Sequence, residues 1–184
     1  MDINSNITFT ITSINELVDA LSEAERATFN EIIHSTNLPN SIFENYCSWS
    51  TESYTRNCII DNEKFELILI CWESGQITPI HNHGGEECWV KVIEGSLKET
   101  IYEIDKAGEL NILKTDISRA QDVSYMIDFM GYHSLENLSN KRSMSLHLYA
   151  KPIRSCEIFD KETRTFVNKK MSYNTIAPLA RSQK

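Results

Sequence analysis

The chain has 184 residues, which predicts one domain with enough length to bury a hydrophobic core. Hydrophobic residues make up 41% of it and charged residues 24%, with 6 glycines and 4 prolines, a composition that excludes disordered and fibrous proteins. Its 26 acidic residues outnumber the 18 basic ones, and the resulting net charge of -8 disfavours binding to nucleic acids and to anionic membrane surfaces.

Cysteine usage predicts the compartment. The chain has 5 cysteines, an odd number without a Cys-x-x-Cys pair, so we expect neither a disulfide framework nor a thiolate zinc site. A reducing cytoplasm is the expected location. Met1–Thr12 lacks a basic segment, and the longest apolar stretch, Leu67–Trp72, is far shorter than the roughly 20 residues of a membrane span. We therefore expect no signal peptide and no membrane insertion.

Residues 13–50 have the apolar spacing of helices. Three capping boxes, in which a serine precedes a glutamate by three positions, predict helix starts. The pairs are Ser13 with Glu16, Ser22 with Glu25, and Ser41 with Glu44. A break is predicted at Asn37–Asn40, which contains Pro39. The N-terminal segment is therefore expected to be all helical.

Residues 54–173 change to short β-branched and aromatic runs that are separated by turn residues. This pattern predicts a mainly β fold, an antiparallel sandwich or barrel. The predicted strands are Tyr54–Ile60, Lys64–Trp72, Gln76–Asn82, Cys88–Ile93, Leu97–Ile104, Asp122–Met126, His133–Asn137, Ser143–Ala150, Cys156–Phe159 and Thr165–Tyr173. Since no repeat or linker is found, the helices are expected to pack on the β unit, and the basic tail Arg181–Lys184 is expected to be frayed.

The histidines point to a metal site. His81 and His83 are two positions apart, so on a strand both side chains point to one face. His133 is predicted in another strand, and Glu86 and Glu87 follow the pair closely. Two ligand sets are open on chemical grounds, two histidines with a glutamate or three histidines.

Several other residues have simpler explanations. A histidine pair can arise by chance, and the triplet His81–His83 only shares its letters with a nuclease motif that is spread over a strand and a helix. His34 is predicted to be a surface histidine of the helical segment. Cys58 and Cys71 lie in apolar strands and are expected to be buried small hydrophobic residues.

Longer motifs carry a resemblance to a known family. The segment Cys71–His83 followed by Cys88–Thr100 resembles the metal-binding motif of the cysteine dioxygenases, which are cupins. Tyr54–Asn57, Gly131–Asn137 and Ser145–Tyr149 resemble further signatures of this family in the same order. The resemblance implies a cupin fold (double-stranded β-helix, a jelly-roll-like barrel) over residues 1–184, with a helical cap at about 13–50 and the barrel at about 54–173.

The resemblance also implies a metal and a reaction. His81, His83 and His133 would hold one Fe(II) per chain without a carboxylate ligand, unlike the commoner set of two histidines and one carboxylate. A neutral ligand set leaves the iron more positive, which favours binding of a substrate thiolate. The implied activity is oxidation of L-cysteine by the co-substrate O2 to cysteine sulfinic acid.

Further residues are assigned by the same resemblance. Arg56 would bind the substrate carboxylate, since its planar guanidinium can make two parallel hydrogen bonds, and Tyr54 would share its face of the strand. Ser145, His147 and Tyr149 alternate along one strand and would form a hydrogen-bond relay that ends near the iron. Their order superficially resembles a hydrolytic triad, but Ser, His and Tyr in one strand supply no acid to orient the histidine. Apolar walls are expected from Ile70, Trp72 and Ile153.

Two local features concern Tyr149. Cys88 lies seven residues after His81, where animal-type members of the family carry a cysteine that becomes joined to the relay tyrosine. The alternative is a free thiol packed beside the pocket. The residues Ala150-Lys151-Pro152 stand where animal-type members have Ser-Pro-Pro with a cis bond. A cis bond before Lys151 would cost roughly 3 kcal/mol, so we expect a trans bond there.

Two alternative functions remain open at this point. A related dioxygenase could act on 3-mercaptopropionate or another small thiol, although such enzymes usually have a glutamine at the position of Arg56. A non-catalytic metal-binding cupin would need neither Arg56 nor Tyr149. The expected partner is a small-molecule substrate, with no nucleic acid or membrane, and the protein is expected to be a monomer.

Overall fold

The computed structural model describes residues 11–178, so the predicted frayed tail Arg181–Lys184 lies outside the described residues. The N-terminal part contains helix α1 (Ile14–Glu23), helix α2 (Phe29–Ser35) and two 3-10 helices, Arg26–Thr28 and Asn40–Tyr46. The predicted helical segment is therefore confirmed, and its predicted break at Asn37–Asn40 lies at residues 36–39, since Asn40 begins the second 3-10 helix.

Only one of the three predicted capping boxes caps a helix. The hydroxyl of Ser13 accepts a hydrogen bond from Glu16 N at 3.2 Å, as expected for an N-cap. Ser22 instead lies inside α1, where its hydroxyl donates to Val18 O at 2.7 Å. The 3-10 helix Asn40–Tyr46 begins after Pro39 without a side-chain cap, so the Ser41 box is also wrong.

Eleven strands follow within the described residues. They are β1 (Thr55–Asp61), β2 (Glu66–Trp72), β3 (Cys88–Glu94), β4 (Ser96–Ile104), β5 (Leu110–Arg119), β6 (Val123–Met126), β7 (Tyr132–Asn137), β8 (Ser143–Tyr149), β9 (Ser155–Asp160), β10 (Thr165–Lys170) and β11 (Thr175–Ile176). A 3-10 helix, Asp128–Met130, precedes β7. The mainly β prediction is confirmed.

The strands form three sheets. The largest has the order β11-β1-β2-β8-β3-β6, the second has β5-β4-β7, and β9 pairs with β10. All pairings are antiparallel except that of β11 with β1. The two larger sheets face each other as the halves of a barrel, because Leu97 and Leu135 of the second sheet pack in one apolar cluster with Ile68, Val90 and Val92 of the first.

The six-stranded sheet is buried on both faces. Its outer face packs against the helices, since Leu17, Phe29 and Ile33 share a core cluster with Leu67 and Leu69. Its inner face contributes the alternate residues of β2 to the barrel interior. This double burial explains why β2 reads as a continuous apolar run.

Two longer regions differ from the sequence prediction, and the short strand β11 was not predicted either. The predicted strand Gln76–Asn82 forms only isolated bridges, from Ile77 to Glu136 and from His81 to His133, and is an extended segment beside β7. Strand β5 was not predicted because none of its ten residues is buried, eight being exposed and two half-buried. An edge strand that is exposed on both faces lacks the alternation on which strand prediction depends.

No peptide bond within residues 11–178 is cis, so the expected trans bond before Lys151 is confirmed. None of the helices in this range combines the length and apolar character that crossing a membrane requires.

Candidate metal centre and substrate pocket

Three histidines converge at one end of the barrel interior. His81 and His83 lie in the loop between β2 and β3, and His133 lies on β7. Backbone hydrogen bonds of 2.9 Å run in both directions between His81 and His133, which fixes the loop against the strand. One ring nitrogen from each histidine lies within 4.8 Å of the others, and His83 Nε2 is 3.0 Å from His133 Nε2.

Two glycines allow the backbone to bring these histidines together. Gly84 follows His83 with φ of 63°, and a Cβ there would lie 2.6 Å from Ser155 O. Gly131 precedes β7 with φ of 113°, and its Cβ would lie 2.2 Å from Tyr102 O. A side chain is therefore excluded at both turns by a backbone oxygen as well as by the left-handed conformation.

Hydrogen bonds to the opposite ring nitrogens orient two of the imidazoles. His133 Nδ1 donates to Glu99 Oε1 at 2.6 Å, and His81 Nδ1 donates to Pro79 O at 2.9 Å. In each ring the remaining nitrogen, Nε2, is then the unprotonated one and faces the centre of the cluster. Such outer partners fix the tautomer of metal-binding histidines.

The environment keeps the rings of His81 and His83 neutral. Burial, followed by the proximity of His133, lowers the pKa of His81 to about 3. The same causes lower the pKa of His83 well below its ordinary value. Neutral imidazole is the form that binds metals, and three imidazole donors around one point fit a cation such as Fe(II), Zn, Ni or Cu.

The carboxylate alternative is not supported by the geometry. Glu87 pairs with Arg26 and accepts a hydrogen bond from Tyr125 at 2.7 Å, and Glu86 lies 3.6 Å from the same arginine. Within residues 11–178, the group able to hold a metal ion comprises the three histidines and neither glutamate.

A cavity beside the histidines contains most of the other candidate residues. Tyr54, Arg56, Ile70, His147 and Tyr149 all line it. Sequence analysis missed further lining residues, which are Thr78, Pro79, Leu135, Cys156, Ile158, Lys169 and Met171. Several of these come from β9 and β10, whose place over the cavity depends on the tertiary fold and has no local sequence signal.

Trp72 and Ile153 were assigned to the cavity walls, but they are not among its lining residues. Both belong to the apolar cluster of the barrel interior. The Trp72 ring packs against Tyr54, with centroids 5.0 Å apart, and its Nε1 donates to Ser145 Oγ at 2.9 Å. These residues therefore support the wall from behind.

Arg56 is the buried cation of the cavity. Its exposed fraction is 9%, and its Nε and Nη2 have no hydrogen-bond partner. Nη2 lies 3.7 Å from Glu66 Oε1, an ion-pair distance that is too long for a hydrogen bond. A guanidinium with unused buried donors fits an anionic ligand such as a carboxylate.

Ser145, His147 and Tyr149 alternate along β8, as predicted. Ser145 Oγ and His147 Nε2 are 2.8 Å apart. The rings of His147 and Tyr149 are 6.2 Å apart, and no hydrogen bond joins them in the described part of the chain. The observed hydrogen-bond chain therefore runs from Trp72 through Ser145 to His147 and stops before the tyrosine.

Cys88 and Tyr149 are directly opposite each other in the pairing of β3 with β8. Both are buried, and burial raises the pKa of each group well above its ordinary value. Glu99 also raises the pKa of Cys88, and Cys88 also raises that of Tyr149. The Tyr149 ring lies 5.9 Å from the His83 ring. The thiol and the phenol are thus neighbours at the edge of the histidine cluster.

The remaining candidates behave as ordinary structural residues. All five cysteines are free, and burial raises the pKa of both Cys58 and Cys71 to about 12, as expected for buried thiols. His34 is exposed at the end of α2, as predicted.

Comparisons with known proteins agree with this geometry. Residues 4–162 match the family model described as cysteine dioxygenase type I. Curated relatives named "Cysteine dioxygenase type 1" are 37% identical in Bos taurus and 35% identical in Homo sapiens, each over 122 residues. These matches cover 64% of this chain and 61% of each relative, so the chain matches about three fifths of their length.

Among solved structures, a protein with a double-stranded β-helix domain from Klebsiella pneumoniae matches with a TM-score of 0.50 at 14% identity. The match covers 58% of this chain and 80% of that one, and it supports the cupin fold alone. The family match spans most of the chain, including the three histidines and the cavity residues of β1, β2 and β8. The chain therefore belongs to the cysteine dioxygenase type I family.

Proposed function

We propose that this protein is an iron-dependent cysteine dioxygenase that oxidises L-cysteine with dioxygen to cysteine sulfinic acid. The observation that carries the proposal is the shared cavity of three imidazoles and one buried arginine with unused donors. Iron(II) held by His81, His83 and His133, one per chain, would supply open coordination positions and redox chemistry that side chains lack.

Arg56 would bind the substrate through its carboxylate. The unpartnered Nε and Nη2 lie on one edge of the guanidinium and can donate two parallel hydrogen bonds. Such a clamp fixes the carboxylate end of cysteine, so that the thiol three bonds away is held towards the histidines. The substrate thus also satisfies two buried donors that are otherwise without a partner.

Tyr149 would orient the reacting groups as a hydrogen-bond donor. Because burial raises the pKa of its hydroxyl, the phenol keeps its proton at neutral pH. His147, whose pKa is lowered well below its ordinary value by burial and next by Arg56, stays neutral beside it. Ile70 and Leu135 supply apolar walls that limit access of water to the reacting sulfur.

We also propose that Cys88 and Tyr149 become joined by a thioether bond. In this step the Cys88 sulfur bonds to the ring carbon ortho to the Tyr149 hydroxyl. The thiol and the ring each lose one hydrogen atom, and dioxygen accepts both. The proposal is supported by their opposite positions in paired strands and by their burial beside His83.

The free state of all five cysteines fits a reducing compartment, and we propose a cytoplasmic, monomeric enzyme whose partners are L-cysteine and dioxygen.

The proposed activity is tested by measuring oxygen consumption by the iron-loaded protein with L-cysteine, 3-mercaptopropionate and cysteamine. We expect L-cysteine to have the highest kcat/KM. A preference for 3-mercaptopropionate would assign the protein to the related thiol dioxygenases, and a lack of oxygen consumption with all three thiols would refute the enzymatic proposal.

A further inference from the structure

Glu66 is a wholly buried carboxylate behind the cavity. It begins β2, has an exposed fraction of 0%, and is not among the residues that line the cavity. Its Oε2 accepts a hydrogen bond from Ile153 N at 3.1 Å, and its Oε1 accepts one from the hydroxyl of Tyr173. Two donors from separate segments therefore hold this carboxylate in one position.

Glu66 was not found by sequence analysis, and its hydroxyl partner, Tyr173, lies beyond residue 162, where the match to the family model ends. Burying a carboxylate is costly unless charges and hydrogen-bond donors compensate for the loss of water. Its two hydrogen bonds and the nearby Arg56 provide this compensation.

The arginine is compensated only in part. Glu66 Oε1 lies 3.7 Å from Arg56 Nη2, close enough for strong charge attraction but without a hydrogen bond. Glu66 thus balances the buried positive charge while leaving the donors of Arg56 free for a ligand. A carboxylate that binds these donors must share one guanidinium with the carboxylate already present.

We propose that Glu66 is a specificity-determining residue that acts through Arg56 and sets how strongly the pocket favours thiols that carry a carboxylate. This inference rests on the proposed function of Arg56 in substrate binding. Glu66 repels a bound carboxylate and lowers the positive charge that the substrate meets, so cysteine binds less tightly than an uncompensated arginine would allow. A thiol without a carboxylate, such as cysteamine, does not experience this competition.

The test is Glu66→Gln, which keeps the shape of the side chain and removes its charge. Two carboxylates that share one guanidinium lie less than about 12 Å apart, so at an effective dielectric constant of about 20 their repulsion corresponds to at least a tenfold change in affinity. Binding to the full-length iron-loaded protein is measured by calorimetry without oxygen, and turnover is measured separately in air. We expect Glu66→Gln to bind L-cysteine at least about tenfold more tightly, with a matching fall in KM, and to bind cysteamine with unchanged affinity.

Two variants serve as controls. Glu73→Gln removes a carboxylate that pairs with Arg142 at the surface, at 2.8 Å, and should leave both affinities unchanged. Tyr173→Phe removes a hydrogen bond to Glu66 but keeps the charge, so the ratio of cysteine to cysteamine affinity should move far less than in Glu66→Gln. Three results would overturn the inference. Glu66→Gln and the wild type could bind cysteine equally well, the variant could bind cysteine more weakly, or neither protein could bind it.

A stability measurement covers the case in which Glu66→Gln folds poorly. If Glu66 is the counter-charge of Arg56, urea denaturation should show that adding Arg56→Gln to Glu66→Gln restores part of the lost stability. Additive losses of stability in the double variant would overturn the coupling between Glu66 and Arg56.

The failure of this inference can be told apart from the failure of the proposed function. A wild-type protein that binds cysteine but oxidises no thiol would refute the proposed function alone. Normal turnover with an unchanged selectivity in Glu66→Gln would refute this inference alone.

Discussion

Replacing Glu99 by glutamine should weaken metal binding without changing any metal ligand. Glu99 Oε1 accepts the hydrogen bond of His133 Nδ1 at 2.6 Å, and the two residues have exposed fractions of 6% and 0%. The carboxylate stabilises the positive charge that the imidazole acquires when its Nε2 binds a cation. Glutamine keeps an acceptor oxygen but loses this charge assistance.

The magnitude follows from the hydrogen bond. A bond to a charged group contributes about 1.5–3 kcal/mol and a neutral one about 1 kcal/mol, so the loss is roughly 1.4 kcal/mol, a factor of about ten in affinity. Glu99→Ala also removes the acceptor and should approach the hundredfold end of the range of about 10–100-fold measured for outer partners of metal ligands.

The assay is competition for Fe(II) between the protein and a coloured chelator, carried out without oxygen. Glu136→Gln is the matched control, because Glu136 lies on β7 with His133 but pairs with Lys98 near the surface. We expect affinities in the order wild type and Glu136→Gln, then Glu99→Gln, then Glu99→Ala. Unchanged Fe(II) affinity in both Glu99 variants would refute the assigned role of this carboxylate.

Three further predictions concern the cavity. Arg56→Ala removes two charge-assisted hydrogen bonds to the substrate, so it should lower kcat/KM for L-cysteine by about a hundredfold and change kcat/KM for cysteamine little. Steady-state oxygen consumption measures both values. Equal losses with the two thiols would show that Arg56 does not bind the carboxylate. Prolonged turnover with iron, oxygen and cysteine should lower the intact mass of the protein by two hydrogen atoms, through a link between Cys88 and Tyr149. Cys88→Ser should abolish the cross-linked form but retain partial activity. An unchanged mass of the wild-type protein would contradict the link. Burial lowers the pKa of both His83 and His147 in the folded state, so the metal-free protein should lose stability as the pH falls below about 6.5. The expected loss in the free energy of unfolding is up to about 1.4 kcal/mol per pH unit for each histidine. A urea midpoint that stays constant between pH 7 and pH 5 would argue against the burial of these two histidines in their neutral form.

The metal ligands could be predicted from the sequence because their signal is local. His81 and His83 are two positions apart, and His133 lies within a short motif that resembles the family pattern. Arg56 was recognised in the same way, from the residues beside it. Each of these candidates lies in the histidine cluster or the cavity that the fold brings together.

The acidic residues that support the site could not be predicted in the same way. Glu66 and Glu99 lie in strands whose neighbours follow only from the sheet pairing, in which Glu66 is opposite Tyr149 and Ile101, two positions after Glu99, is opposite His133. A lone glutamate in a strand has no spacing that distinguishes a buried ion-pair partner from a surface charge. Their function becomes visible only when burial and partners are known.

The errors in secondary structure have a related cause. Ser22 matched a capping box by its spacing, but continuation of α1 through this residue left its hydroxyl to bond Val18 O in the preceding turn. The loop that contains His81 has the apolar content of a strand, yet it forms only isolated bridges to its neighbours. The local sequence pattern predicted the extended backbone of this segment, but it could not predict whether the segment pairs continuously with a neighbouring strand.

In the proposed reaction the three histidines hold the iron, the cavity around Arg56 holds a carboxylate-bearing thiol, and dioxygen oxidises that thiol. The most direct measurement follows oxygen uptake and product by mass spectrometry for the iron-loaded wild type and for His133→Ala, with L-cysteine in 18O2. We predict that the wild type forms cysteine sulfinic acid carrying both labelled oxygen atoms and that His133→Ala forms none. Disulfide as the only product of the wild type, or sulfinate formation by His133→Ala at the wild-type rate, would contradict the claim.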